Sequence, residues 1–173
     1  MTQAKIPLVL FCAFMSCECI SQNIYKEINN QIWRVQLDAM NSNQVDKFMS
    51  VMSDDVIQVS YTRQTIRNKE QFLNQAGLTY KKMIERKINR SMEFRFLNRI
   101  ANESNAFEDG FYKYELINEN LEKQIYYGYF QVVLRKEQGS WKVLMDYDSE
   151  NYNGSPVIKE LFEHAKTLEY YEK

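Results

Sequence analysis

Residues 91–101 read SMEFRFLNRIA. Met92, Phe94, Phe96 and Ile100 point one way while Glu93, Arg95 and Arg99 point the other, the two-residue period of a strand with one buried face. Upstream of this stretch the apolar residues recur at helical spacing. From here on they recur at strand spacing. That change of period decides the fold class: helices first, antiparallel sheet second.

Working upstream, Asn68 with Gln71 three residues on is a capping box, and it predicts a helix carrying Leu73, Ala76, Tyr80, Met83 and Ile84 on one stripe. Gly77 lies inside it and is expected to break it there. Val56–Tyr61 is a short β-rich run entered through Ser53-Asp54-Asp55. Asn43 and Asp46 start a short helix lined by Val45, Phe48, Met49 and Met52. Residues 23–40 predict the first long helix, with Ile24, Ile28, Ile32, Val35 and Ala39 on one stripe and Trp33 beside it.

Working downstream, residues 107–117, 124–136 and 140–149 read as three more strands. Gly110 marks a bulge and Gln138-Gly139 a hairpin turn. Asn153-Gly154 then stops the sheet. Ser155 as N-cap and Pro156 at the first helical position predict a final helix with Ile158, Leu161, Phe162, Ala165 and Leu168 on one stripe.

The remaining composition narrows the class. A chain of 173 residues with 45% hydrophobic and 26% charged residues suits one globular domain. The net charge of -1 gives no footprint for nucleic acid. Residues Ile6–Met15 form an uncharged apolar run after Lys5, which reads as an export signal rather than a membrane span. Cleavage after Ser21 is one reading. A lipid on Cys17, after Phe14-Met15-Ser16, is another, and an N-terminal helix packed into the fold is the third. Cys12, Cys17 and Cys19 all lie in this segment, so cleavage after Ser21 leaves no thiol for a nucleophile, zinc site or disulfide. The expected division is a signal peptide over 1–21, a domain over 22–152 and a C-terminal helix over 153–173. The product would be periplasmic or secreted, with or without a lipid anchor.

Amphipathic helices must close over one face of a long, bulged sheet, which gives an α+β cone with a mouth. The chain here resembles the nuclear transport factor 2-like (cystatin-like, SnoaL-like) superfamily. Ile32-Trp33, Asp54-Asp55-Val56-Ile57, Gly139-Ser140-Trp141-Lys142-Val143 and Asp146-Tyr147-Asp148-Ser149 carry the resemblance, over about residues 23–151. The final helix is extra, and Tyr61-Thr62-Arg63-Gln64 stands where relatives often carry a glycine turn. The resemblance implies a conical cavity used as an isomerase, cyclase or dehydratase site, as a ligand pocket, or as a dimerising scaffold.

Candidate site residues follow. Asp146 and Asp148 lie two apart on one strand and so share a face. Close, desolvated carboxyls suit general acid–base work. Ketosteroid isomerase, in the superfamily, uses such carboxylates beside a tyrosine. Trp33, Tyr61, Arg63, Phe94, Tyr112, Tyr114, Tyr127 and Tyr129 are the expected pocket lining. Arg63 and Arg95 suit an anion or a surface ion pair. His164, the lone histidine, reads as a helix-surface residue, and neither a metal nor a cofactor is expected. Asn89-Arg90-Ser91 and Asn102-Glu103-Ser104 match glycosylation acceptors. The leading expectation is a binding module for a small apolar or aromatic molecule. The alternatives are an isomerase or dehydratase based on Asp146, and a dimerisation or interaction module.

Overall fold

The computed structural model describes residues 23–172, so the export-signal and Cys17 readings lie outside the described residues. Helical backbone runs from residue 23, widens to a π-turn over Asn29–Trp33, and continues as α1 (Arg34–Asn41). A six-residue helix, α2 (Val45–Ser50), follows. Asn43, at φ 54, closes the first helix rather than capping the second. Strand β1 (Met52–Ser60) begins four residues earlier than the sequence pattern suggests and takes in Ser53-Asp54-Asp55. A turn with Gln64 at φ 52 leads to the short β2 (Thr65–Arg67). Gln64 thus adopts the left-handed conformation that glycine supplies elsewhere.

Helix α3 (Lys69–Glu85) has both hydrogen bonds of the expected capping box, Asn68 with Gln71. It runs unbroken through Gly77, because the capped start and a buried Ala76–Tyr80–Met83 stripe outweigh about 1 kcal/mol of glycine cost. The strands β3 (Asn89–Ala101), β4 (Asn105–Ile117), β5 (Lys123–Glu137) and β6 (Ser140–Ser149) then form consecutive hairpins. Gln138 and Gly139, both at positive φ, make the two-residue β5–β6 turn.

The six strands lie in the order β2-β1-β6-β5-β4-β3. All pairs are antiparallel except β1 with β6, which is parallel. The helices cover the concave face. Trp33 is the hub of that core, with ring centroids 4.7 Å from Phe94, 5.2 Å from Phe96 and 5.1 Å from Phe130. Burying rings of this size stabilises the fold by roughly 1.5–3 kcal/mol each.

The expected C-terminal helix is replaced by a strap. Asn153 and Gly154 take positive φ of 49 and 79 and close a small hairpin, β7 (Asn151–Tyr152) with β8 (Ser155–Pro156). Asn-Gly is the strongest such turn signal, so Pro156 lies in the hairpin and not at a helix start. Helix α4 (Lys159–His164) comes later and is short. Lys166 pairs by two backbone bonds with Phe96 on the free edge of β3, and a 3-10 turn (Leu168–Glu172) ends the described chain. The strap covers the convex face of the sheet, where Val157, Phe162 and Ala165 pack with Phe111 and Tyr129.

Candidate functional site: a cavity inside the cone

Two β-bulges set the site. In β3 the register slips between Phe96 and Asn98, leaving Leu97 as the extra residue opposite Gly110. A Cβ on Gly110 would lie 1.9 Å from the Arg95 carbonyl oxygen, so only glycine admits this approach. In β6 the register slips between Val143 and Met145, leaving Leu144 extra. An extra residue reverses the faces of all that follows. Trp141 and Val143 therefore point into the core, and so do Asp146 and Asp148 beyond the bulge.

Asp146 and Asp148 border a cavity of ≈ 540 Å³ between the concave sheet and α3. Its floor is Trp33, Phe94, Phe130 and Val132. Tyr112 and Tyr114 form one wall, Phe72, Ala76, Tyr80 and Met83 of α3 the other. Arg63, Leu78 and Lys82 stand at the open side. The volume is that of a small-molecule site.

The polar end lies where β1, β6 and β5 meet. Gln58 and Val132 flank Asp146 on the neighbouring strands, and Ser60 and Phe130 flank Asp148. Asp148 accepts hydrogen bonds from Gln58 Nε2 and Ser60 Oγ, both 3.0 Å. Gln58 is itself held by Arg67 Nη1 at 2.8 Å. Burial raises the Asp148 pKa, and those bonds with Arg63 and Arg67 oppose the rise. Asp146 differs. Its carboxyl accepts no hydrogen bond from the described residues, and burial, helped by the Asp148 charge, pushes it up to about 7. What accessible surface it keeps faces the cavity it lines. Tyr112 is pushed well above the ordinary phenol range by burial and then by Asp148, so it remains a protonated donor.

Seven of the ten residues read from the sequence border this cavity: Trp33, Arg63, Phe94, Tyr112, Tyr114, Asp146 and Asp148. Three do not. Tyr61 sits in the β1–β2 turn, 54% exposed. Tyr127 and Tyr129 lie on the convex face against the strap, because Tyr112 pairs with Gly128 and so shares a face with even-numbered residues of β5. Gly128 leaves room for the Tyr112 ring: a Cβ there would lie 2.2 Å from its Cζ. Tyr129 donates to Asp109 at 2.8 Å. Arg95 is also convex, paired with Glu93 and stacked over Phe162. His164 is exposed at the end of α4, its Nδ1 2.6 Å from the Glu160 carbonyl.

Sequence reasoning missed Gln58 and Ser60, since nothing local announces that β1 will pair in parallel with β6. It also missed the support of Trp33. Its Nε1 donates to Glu108 at 2.6 Å, and Glu108 is bridged to Arg99, with neither side chain exposed. Burial raises the Glu108 pKa against the pull of Arg99 and the Trp33 bond. The Arg99 guanidinium lies over Tyr25, Phe96 and Tyr171 at 4.5–4.9 Å, which ties the cavity floor to both ends of the described chain. Among the described residues, no group of three or more His, Cys, Asp or Glu is placed to hold a metal.

No family model matches the sequence, and no curated protein matches it. Solved structures do match. An NTF2-like protein of unknown function from Pseudomonas putida aligns with a TM-score of 0.60 at 14% identity, covering 81% of this chain and 97% of its own. Aln2 from a Streptomyces species gives 0.62 at 10% identity, over 73% and 90%. An uncharacterised cystatin-like-fold protein from Caulobacter vibrioides gives 0.58 at 11% identity, over 80% and 93%. The protein therefore has the nuclear transport factor 2-like, cystatin-like cone fold. At these identities the likeness speaks for the fold alone.

Proposed function

We propose that this protein is a binding module that takes a small, largely aromatic molecule into the cone. The observation that carries the reading is the cavity itself: ≈ 540 Å³, floored by aromatic rings, with one unpartnered carboxyl at its inner end. Apolar lining with few polar anchors is the usual make-up of a ligand site. With the export signal read from residues 1–21, the binding would take place outside the cytoplasm. Native mass spectrometry of protein purified from its own host tests both points. The expected result is a retained adduct of a few hundred daltons on a chain beginning at Gln22. A bare chain under the gentlest conditions, with no small aromatic molecule binding when added back, would overturn the binding reading.

One observation favours a second reading, an isomerase or dehydratase with Asp146 as general base. A carboxyl with a pKa of about 7 is suited to proton transfer at neutral pH. Against it, no tyrosine hydroxyl is hydrogen-bonded to Asp146, so an acid partner in place for the reaction is missing. Turnover of an enolisable ketone, abolished in Asp146→Asn, would decide for it.

A further inference from the structure

The polar end of the cavity has an imbalance that a ligand must correct. It holds two carboxyls side by side, and the two donors that bond a carboxyl there both go to the same one. Gln58 Nε2 and Ser60 Oγ bond to Asp148. Arg67 is engaged with Gln58 Oε1 and Thr65 Oγ1, both at 2.8 Å. Asp146 is left with its acceptors open, desolvated and beside a like charge. A half-buried carboxyl without donors is costly, and an empty acceptor pair facing a cavity defines what is missing: a donor, best a charged one.

The other charged groups of the cavity do not supply it. Arg63 stands exposed at the open side and acts on Asp148. Arg90 bonds through Nε to the Met40 carbonyl at 2.8 Å and lies 3.7 Å over the Tyr80 ring; its Nη2 is buried and unpartnered, but Arg90 does not act on Asp146. Lys82 borders the opposite side from α3. The remaining titratable groups facing inward are the phenols of Tyr80, Tyr112 and Tyr114, and burial raises the pKa of Tyr80 and Tyr112. Meanwhile the floor next to Asp146 presents a triad of rings, with Phe94 and Phe130 5.4 Å apart and each about 5 Å from Trp33. Ring faces favour both aromatic planes and cations.

We propose that the ligand is an aromatic amine, its ammonium paired with Asp146 and its ring lying on Trp33, Phe94 and Phe130. This rests on the binding-module reading and names its ligand class. At this end of the cavity an anion would meet two carboxyls. A neutral ligand would leave their repulsion unrelieved. Binding converts protonated Asp146 and a free ammonium into a carboxylate–ammonium pair and releases one proton to solvent. Because burial and Asp148 together hold that proton up to about pH 7, the affinity for an amine rises as pH increases from about 6 to 8.

The test is calorimetric titration of the full chain with 2-naphthylmethylamine and with its neutral match, 2-naphthylmethanol, at pH 6 and pH 8, in two buffers of different ionisation heat. The expected result is an amine preference of about tenfold or more at pH 8. Proton release should accompany amine binding at pH 6. In Asp146→Asn, a neutral isostere, the preference for the amine over the alcohol should collapse. Equal binding of both probes to the unaltered chain, or a preference that survives in Asp146→Asn, overturns the amine assignment and leaves the cavity reading standing. Failure of both probes to bind at millimolar concentration overturns the cavity reading as well.

Discussion

Replacing Asp146 by Asn should make the protein more stable, and increasingly so as pH rises. The carboxyl ordinarily titrates at 3.8 and is held at about 7 in the fold. Between those values the folded chain keeps a proton that the unfolded chain has released. Stability therefore falls as pH rises through that window and levels off above it. At about 1.4 kcal/mol per tenfold change the full penalty is about 4 kcal/mol. Water entering by the open side lowers it, so an effect of about 2–4 kcal/mol is expected. Asn matches the neutral acid in shape, and it faces a cavity rather than packed side chains. Urea unfolding of both proteins at pH 5 and pH 8.5 gives the comparison. Glu108, also raised by burial, is common to both and largely cancels in the difference. The variant should exceed the parent by about 1 kcal/mol at pH 5, already inside the window, and by about 2–4 kcal/mol at pH 8.5. A difference independent of pH would refute the placement of a desolvated Asp146.

Three further changes probe the frame around the cavity. Gly128→Ala puts a methyl against the Tyr112 ring, 2.2 Å from Cζ, and should cost about 1–3 kcal/mol in urea unfolding, with part of the loss recovered when Tyr112→Ala is added. Glu108→Gln leaves the Arg99 guanidinium buried without its charge partner; a loss of about 3–5 kcal/mol and a shift in Trp33 fluorescence are expected. Asn68→Ala removes the side-chain half of the α3 capping box, the bond from Gln71 N–H to Asn68 Oδ1, and should lower stability by about 1 kcal/mol without altering ligand affinity at the floor of the cavity.

The fold was legible where local chemistry and global packing agree. The capping box at Asn68, the turn at Gln138-Gly139 and the alternation of residues 91–96 each specify their own structure within a few residues. Legibility ended at the bulges. Simple alternation carries Ile100 inward with Phe96 and sends Arg99 to solvent. The extra Leu97 reverses this, so Arg99 enters to meet Glu108 and Ile100 stands 67% exposed. In β6, alternation from Trp141 and Val143 would turn Asp146 outward, and Leu144 turns it in. The shared face of Asp146 and Asp148 was therefore readable, but which face it is was not. The tyrosines of β5 show the same limit across strands. Spacing within a strand fixes which residues share a side, and only the register with β4 says which side that is. The strap failed for a different reason: an apolar stripe at helical spacing is also what a hairpin, a short helix and a 3-10 turn present when each buries one or two residues. Phe162 enters the convex cluster and Leu168 the main core, while Ile158 and Leu161 stay largely exposed.

Occupancy of the cone can be seen most directly through its methionines. Met40, Met83 and Met92 border the cavity, whereas Met145 lies at a convex-face position of β6. Methyl resonances of protein carrying labelled methionine, followed while 2-naphthylmethylamine is added, separate these sites. The account predicts saturable shifts at Met40, Met83 and Met92 and none at Met145. Shifts confined to Met145, or no response at the three cavity methyls, would contradict it.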